Sequence, residues 1–311
     1  MTGPVRIGLA GCGRIAERGY LPAAAGLDGV AIAALADPDA ARAGRLEAEA
    51  GVPAFGSVEA MLGAAGLDAV LVASPVEHHL ANAELVAAAG LPCLVEKPPA
   101  ADLDAARALA ALSPAPAIGF NRRFLQGAEL RDRVPAEGWV ELELELRFSR
   151  AGWAAHASRD EALLDAGIHL VDLACFLAAA APLAVRGAEL APERAALELE
   201  LSRGRARISC ATDAAYAERV TVRDRGGRTL AASRIGRLGA LANRLRGGED
   251  PLVASLRAQL AAFARFARGE DRGVLAGAGA APRALAVVEA ARRSAGLGGA
   301  EVVVGRAEAA A

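Results

Sequence analysis

The 311-residue chain is 54% hydrophobic, and its 35 Lys and Arg nearly balance 37 Asp and Glu, which excludes a basic nucleic-acid surface or a polybasic membrane patch. Length and apolar content suit two buried cores and a small-molecule partner. The longest apolar run, Leu173 to Val185, contains Pro182 and is too short to span a bilayer. Met1-Thr2-Gly3-Pro4 runs straight into an apolar strand, so a secretory leader is not expected. Cys12, Cys93, Cys175 and Cys210 stand far apart without a CxxC or Cys/His cluster, so buried free thiols in a reducing cytoplasm are expected, and no metal.

Val5 to Ala10 reads as a buried strand running into Gly11-Cys12-Gly13-Arg14-Ile15-Ala16 and a helix to about Ala25. Gly11 permits the tight turn, Gly13 lets main-chain amides approach a pyrophosphate, and Ala16 allows close packing of helix on strand. A second strand, Ala31 to Ala36, ends in Asp37, where a carboxylate accepts hydrogen bonds from ribose hydroxyls. Asp37 favours NAD over NADP because it repels a 2′-phosphate. Arg14 in the glycine loop keeps NADP open, since a guanidinium there stacks on adenine, reaches a 2′-phosphate or is simply exposed.

Helices at Pro38 to Ala50, after the Ser57 cap, from His78 and His79 to Gly90, and at Asp102 to Leu112 alternate with strands at Ala54–Phe55, Ala69–Ala73, Cys93–Val95 and Ala117–Phe120. This alternation predicts an α/β fold with an amino-terminal Rossmann doubly wound parallel sheet, placed at residues 1–121. Asp37, Ser74, Lys97 and Asn121 fall at carboxyl ends of strands, where such sheets bind ligands. The expected cofactor contacts are Gly11, Cys12, Gly13, Arg14, Ile15 and Asp37, with Ser74-Pro75 and Glu96-Lys97 on the neighbouring loops. Lys97, stiffened by Pro98 and Pro99, suits polarisation of a C–O bond, although by base rate it is a surface lysine in a turn.

Residues 122–311 are expected to form an α+β domain with an open, mostly antiparallel sheet. Trp139 to Phe148 alternates leucine with acid, giving a strand with one apolar face and one carrying Glu141, Glu143 and Glu145. Hairpins are expected around Arg203-Gly204 and Gly226-Gly227. The basic stretch Arg234 to Arg246 lacks interleaved aromatics and reads as loop or exposed helix. Between Ala162 and Pro182 a helix is apolar apart from Cys175, Asp165, His169 and Asp172, and the last three share one side of it. Buried, they must meet each other, another polar group or a cleft.

These segments together, G-C-G-R-I-A, A-D-P-D, A-S-P-V-E-H-H, V-E-K-P, G-F-N-R-R-F and L-L-D-A-G-I-H-L-V-D, resemble in that order the glucose-fructose oxidoreductase/inositol dehydrogenase/MocA family. The resemblance covers the chain to about Leu177 and continues weakly in the last helices. It implies an NAD(P)-dependent dehydrogenase of sugars or cyclitols, with Lys97 contacting substrate and nicotinamide, Asp165 as the acid of the set and His169 as proton acceptor and donor. Asp172 is the trailing acid, and His79 lies near the nicotinamide. It also implies a homodimer or homotetramer built on the sheet. Arg122, Trp153 and His156 are further substrate-contact candidates. Val76 replaces the family's asparagine, and Ser158-Arg159-Asp160-Glu161 replaces its glycine-rich lead-in, changing pocket shape and charge. Rival readings keep the fold with an imine, enone or dihydrodiol substrate, or make it a nucleotide-binding sensor or scaffold without turnover; for His169, the rival is a core histidine satisfied by Asp165 or Asp172.

Overall fold

The computed structural model describes residues 3–64, 66–152, 161–236 and 248–305. By compactness the chain divides into two units, Met1–Leu125 with Glu249–Pro282, and Gln126–Gly248 with Arg283–Ala311.

The first unit follows the strand and helix alternation of the sequence. Strands β1 (Val5–Ala10), β2 (Val30–Ala36), β3 (Ala54–Phe55), β4 (Ala69–Val72), β5 (Cys93–Val95) and β6 (Ala117–Ile118) pair in the parallel order β6-β5-β4-β1-β2-β3. The near-continuous burial of β1 and β4 fits a parallel sheet. A π turn, Ala16–Tyr20, continues into α1 (Leu21–Ala24). Then come α2 (Ala40–Ala50), capped by the Asp39 side chain on Arg42 N, α3 (Val58–Ala64), α4 (His79–Ala88) and α5 (Leu103–Ala110), capped by Asp102 on Ala105 N. These caps each contribute about 1 kcal/mol.

The expectation of two contiguous domains divided at 121/122 needs correction, because residues 249–282 return to the first unit. They supply a long helix, Pro251–Ala267, and a two-residue strand that extends the parallel sheet antiparallel to β6, at Ala276–Gly277. Leu256, Leu260 and Phe263 of the helix are wholly buried in one cluster with Val5, Ile7 and Tyr20. Each such side chain contributes about 1.5–3 kcal/mol by burial. An Ala-rich helix carries little sign of which core it joins.

The second unit begins with α6 (Ala128–Asp132) and β7 (Val140–Ser149), whose burial alternates as its leucines and glutamates do. A second π turn, Leu163–Gly167, leads into α7 (Ile168–Ala178), where only Phe176 is not buried. The helix stops before the expected Pro182: Ala179 turns left-handed at φ 48° and a strand follows. That strand, β8 (Pro182–Ala191), was not foreseen; β9 (Arg194–Leu201), β10 (Gly204–Ala211), β11 (Asp213–Asp224) and β12 (Thr229–Gly236) include both expected hairpins. In the first unit's return segment lie α8, the helix Pro251–Ala267 above, and β13, the strand Ala276–Gly277; α9 (Ala280–Gly296) and β14 (Val302–Val303) complete the elements. The second sheet has the order β12-β11-β7-β10-β9-β8-β14 and is antiparallel except where β10 runs parallel to β7. Its acidic face is met by cross-strand arginines: Arg205 to Glu141 at 2.8 Å, Arg223 to Glu143 at 2.9 Å and Arg219 to Glu145 at 3.2 Å.

No helix among the described residues is long and apolar enough to cross a membrane. All four cysteines are buried and free, and burial pushes the Cys210 thiol up to about 12.

Candidate functional site

At the carboxyl edge of the first sheet, β1 runs into Gly11, whose φ is 103° and whose Cβ, if present, would lie 2.5 Å from Ala73 O. At Gly13 nothing lies within 4 Å of that position. Gly11 is thus demanded by the fold, while Gly13 leaves a bare main chain facing open space, the condition for close approach of a pyrophosphate. The loop therefore fits a dinucleotide.

Asp37, 4% exposed, closes β2 and is tied to that loop. Its Oδ2 accepts Cys12 N at 2.8 Å and its Oδ1 accepts Asp39 N at 2.9 Å. The two amide donors fix the carboxyl group against the loop. Arg42 Nη1 stands 3.3 Å from Asp37 Oδ2 and its Nη2 3.2 Å from Asp39 Oδ2. Sequence reasoning missed Arg42; the signal was its place three residues past the Asp39 cap. Arg14 and Ile15 are half-buried at the helix start. Burial, then Asp37, pushes the Cys12 thiol up to about 11, so it is inert at neutral pH.

The two adjoining loops are pinned by buried side chains. His79 is 1% exposed and lies between the two strand ends, with Nε2 2.7 Å from Ser74 O and Nδ1 2.9 Å from Pro98 O; its neutral ring donates to one of these carbonyls at a time. Burial pulls its pKa below the usual histidine range against the opposing pull of the carbonyls. Asn82 Nδ2 donates to Ser74 Oγ at 3.0 Å, and Pro75 is exposed. Glu96 Oε2 accepts Lys97 N at 2.9 Å, and Glu96 Oε1 accepts the Tyr20 hydroxyl. Burial raises the Glu96 carboxyl above its ordinary value. Lys97 is half-buried, and it is the chain's only lysine beside 34 arginines. A chain that uses guanidinium at every other Lys/Arg position keeps one compact amine at this strand end. Arg122 is half-buried just after β6.

In the second unit, Asp165, His169 and Asp172 lie along the π turn and α7. His169 is 6% and Asp172 2% exposed. Asp165 Oδ2 pairs with Arg150 Nε at 2.9 Å, and Asp172 Oδ1 lies 3.8 Å from Arg283 Nη2 of α9. Neither arginine was among the sequence candidates. Arg150 opens the short turn directly after β7, and Arg283 sits in a helix carrying no motif. Of the unusual loop Ser158 to Glu161 only Glu161 is described, and it accepts Arg292 Nε at 2.6 Å. Trp153, His156 and most of the basic stretch Arg234 to Arg246 lie outside the described residues.

Residues 5–115 match a family described as an oxidoreductase family with an NAD-binding Rossmann fold. The chain is 35% identical over 130 residues to the inositol 2-dehydrogenase of Leifsonia xyli subsp. xyli, covering 40% of this chain and 38% of that one. It is 32% identical over 164 residues to the UDP-N-acetylglucosamine 3-dehydrogenase of Acidithiobacillus ferrooxidans, covering 51% of each. The matches thus span about half or less of these relatives. Apo scyllo-inositol dehydrogenase from Lactobacillus casei superimposes with a TM-score of 0.82 over 98% of this chain and 100% of that one, at 20% identity, a likeness of fold. Residues 5–115 thus carry the NAD-binding Rossmann domain of this oxidoreductase family, in line with the resemblance read from the sequence motifs.

Proposed function

We propose that the chain is an NAD-dependent dehydrogenase of a secondary alcohol on a sugar or cyclitol, with Lys97, Asp165 and His169 as its catalytic set. The observation that carries this reading is the single lysine of the chain, kept at the end of β5 on the same sheet edge as the Gly11–Gly13 loop and Asp37. The names of the relatives, dehydrogenases of inositol, of UDP-N-acetylglucosamine and of D-apiose, supply the substrate class.

Gly11, Gly13 and Asp37 would hold the dinucleotide, with Asp37 on the ribose hydroxyls and Ser74, Pro75, His79 and Glu96 shaping the nicotinamide end. Bound NAD supplies the hydride acceptor. His169 takes the hydroxyl proton on a ring nitrogen and returns it in the reverse direction, work for which an imidazole with two ring nitrogens is suited. Lys97 steadies the developing alkoxide. Asp165, aligned by Arg150, serves His169 on the same side of the π turn and α7. Asp37, taking the ribose hydroxyls, disfavours a 2′-phosphate at the same place.

The test is a panel of cyclitols, aldoses and nucleotide sugars with NAD⁺, followed by NADH formation, on the wild type and Lys97→Met. Turnover of a panel member that Lys97→Met loses is the expected result; equal turnover by both proteins would contradict the assignment of Lys97.

A further inference from the structure

Tyr20 is wholly buried, in a setting whose apolar neighbours, Leu256, Leu260 and Phe263, would accept phenylalanine. A buried hydroxyl is costly unless it is bonded. Here it joins a chain of polar groups. Gln259, also 0% exposed, comes from α8 and sets its side-chain amide 3.3 Å from the Tyr20 hydroxyl, which has one proton to give and so accepts from the amide N–H of Gln259, left without another partner among the described residues. The hydroxyl donates to Glu96 Oε1, and Glu96 Oε2 takes the Lys97 N–H at 2.9 Å. Gly119 leaves space for this carboxyl, since a Cβ there would lie 3.0 Å from Glu96 Oε1. On the far side of Lys97, His79 Nδ1 faces Pro98 O at 2.9 Å. The main chain at Lys97 is therefore fixed on both flanks, and one flank is fixed from a helix about 160 residues downstream.

We propose that Tyr20 and Gln259 are positioning residues for Lys97, acting through the Glu96 carboxyl. This rests on the reading of Lys97 as the catalytic cation and names what sets its place. α8 has a second polar latch, Ser255 Oγ accepting Asn121 Nδ2 at 3.1 Å, which does not reach Glu96. It supplies an internal control for loosening of the helix.

Because Lys97 is the only lysine, reductive methylation with ¹³C-formaldehyde labels one side chain besides the amino terminus. The full-length protein is labelled as wild type, Tyr20→Phe, Gln259→Leu and Ser255→Ala, with melting temperature and NADH affinity recorded for each. Tyr20→Phe and Gln259→Leu are expected to move the Lys97 methyl signal toward that of free dimethyl-lysine by more than its linewidth. Ser255→Ala is expected to lower the melting temperature and leave the signal in place. A Tyr20→Phe signal superimposed on wild type would overturn the proposal. So would a Ser255→Ala signal displaced as far, because the helix would then act by packing alone. The methyl signal needs no substrate and is read apart from turnover: undiminished turnover in Lys97→Met would sink the catalytic reading, whereas an unmoved signal in Tyr20→Phe beside an inactive Lys97→Met would sink only the positioning role.

Discussion

The carboxyl edge of the parallel sheet and the helix Ile168–Ala178 hold their polar groups by different means. On the sheet edge the partners are mainly main chain: Asp37 takes the amides of Cys12 and Asp39, His79 meets two carbonyls, and Glu96 takes the amide of Lys97. On the helix the acids meet guanidinium groups from elsewhere in the second unit, Arg150 and Arg283. Main-chain partners come with the fold and cannot be lost by substitution. Side-chain partners can be replaced one at a time, so the helix is the region whose chemistry is free to vary.

The largest effect expected from this contrast is on turnover. Lys97→Met and His169→Asn should each lower hydride transfer about 10²- to 10⁴-fold in single-turnover kinetics, with NADH affinity changed little. Loss of nucleotide binding in His169→Asn would break the division of labour.

Removing one arginine from the helix should cost more than removing one from the sheet edge. Arg150→Met leaves the 12%-exposed Asp165 without that partner and is expected to cost about 2–4 kcal/mol in denaturant unfolding, whereas Arg42→Ala, whose side chain is 36% exposed, should cost under about 1 kcal/mol because the main chain still serves Asp37. Equal costs would remove the distinction. The glycines sharpen it further. Gly11→Ala should lose about 1–3 kcal/mol of stability, while Gly13→Ala should fold as the wild type and weaken NADH binding in a fluorescence titration.

The smallest effects are the pH tilts of two buried groups. The folded pKa of His79 lies below its ordinary 6.5, so its stability contribution is present above that pH and is lost as pH falls. The folded pKa of Glu96 lies above its ordinary 4.5, so its contribution is present below that pH and is lost as pH rises through the folded value. Melting curves of His79→Gln should flatten the acid side of the profile relative to wild type, and those of Glu96→Gln should gain on wild type from about pH 4.5 upward. Profiles parallel to wild type would show that neither group titrates with folding.

Much of the first unit was legible because its signals are local. Gly11-Cys12-Gly13, the cap at Ser57 and the strand-ending Asp37 and Lys97 each announce themselves within a few residues. The return of Pro251–Ala267 was not legible, since alanine fits either face of a helix and Gln259 and Ser255 acquire meaning only beside Tyr20 and Asn121. Strand β8 was hidden because Pro182 read as a terminator, although a proline is tolerated as the first residue of a strand. On the helix, the pattern located Asp165, His169 and Asp172 but not their partners. Arg150 and Arg283 lie 15 residues before Asp165 and 111 after Asp172, and nothing in their own surroundings marks them.

The most direct measurement is a fluorescence titration of the purified protein, checked for retained nucleotide, with NADH and with NADPH. The account predicts saturable binding of NADH, tighter than NADPH, with the preference reduced in Asp37→Ala. Binding of neither nucleotide would contradict the dehydrogenase reading, and tighter NADPH binding would contradict the role given to Asp37.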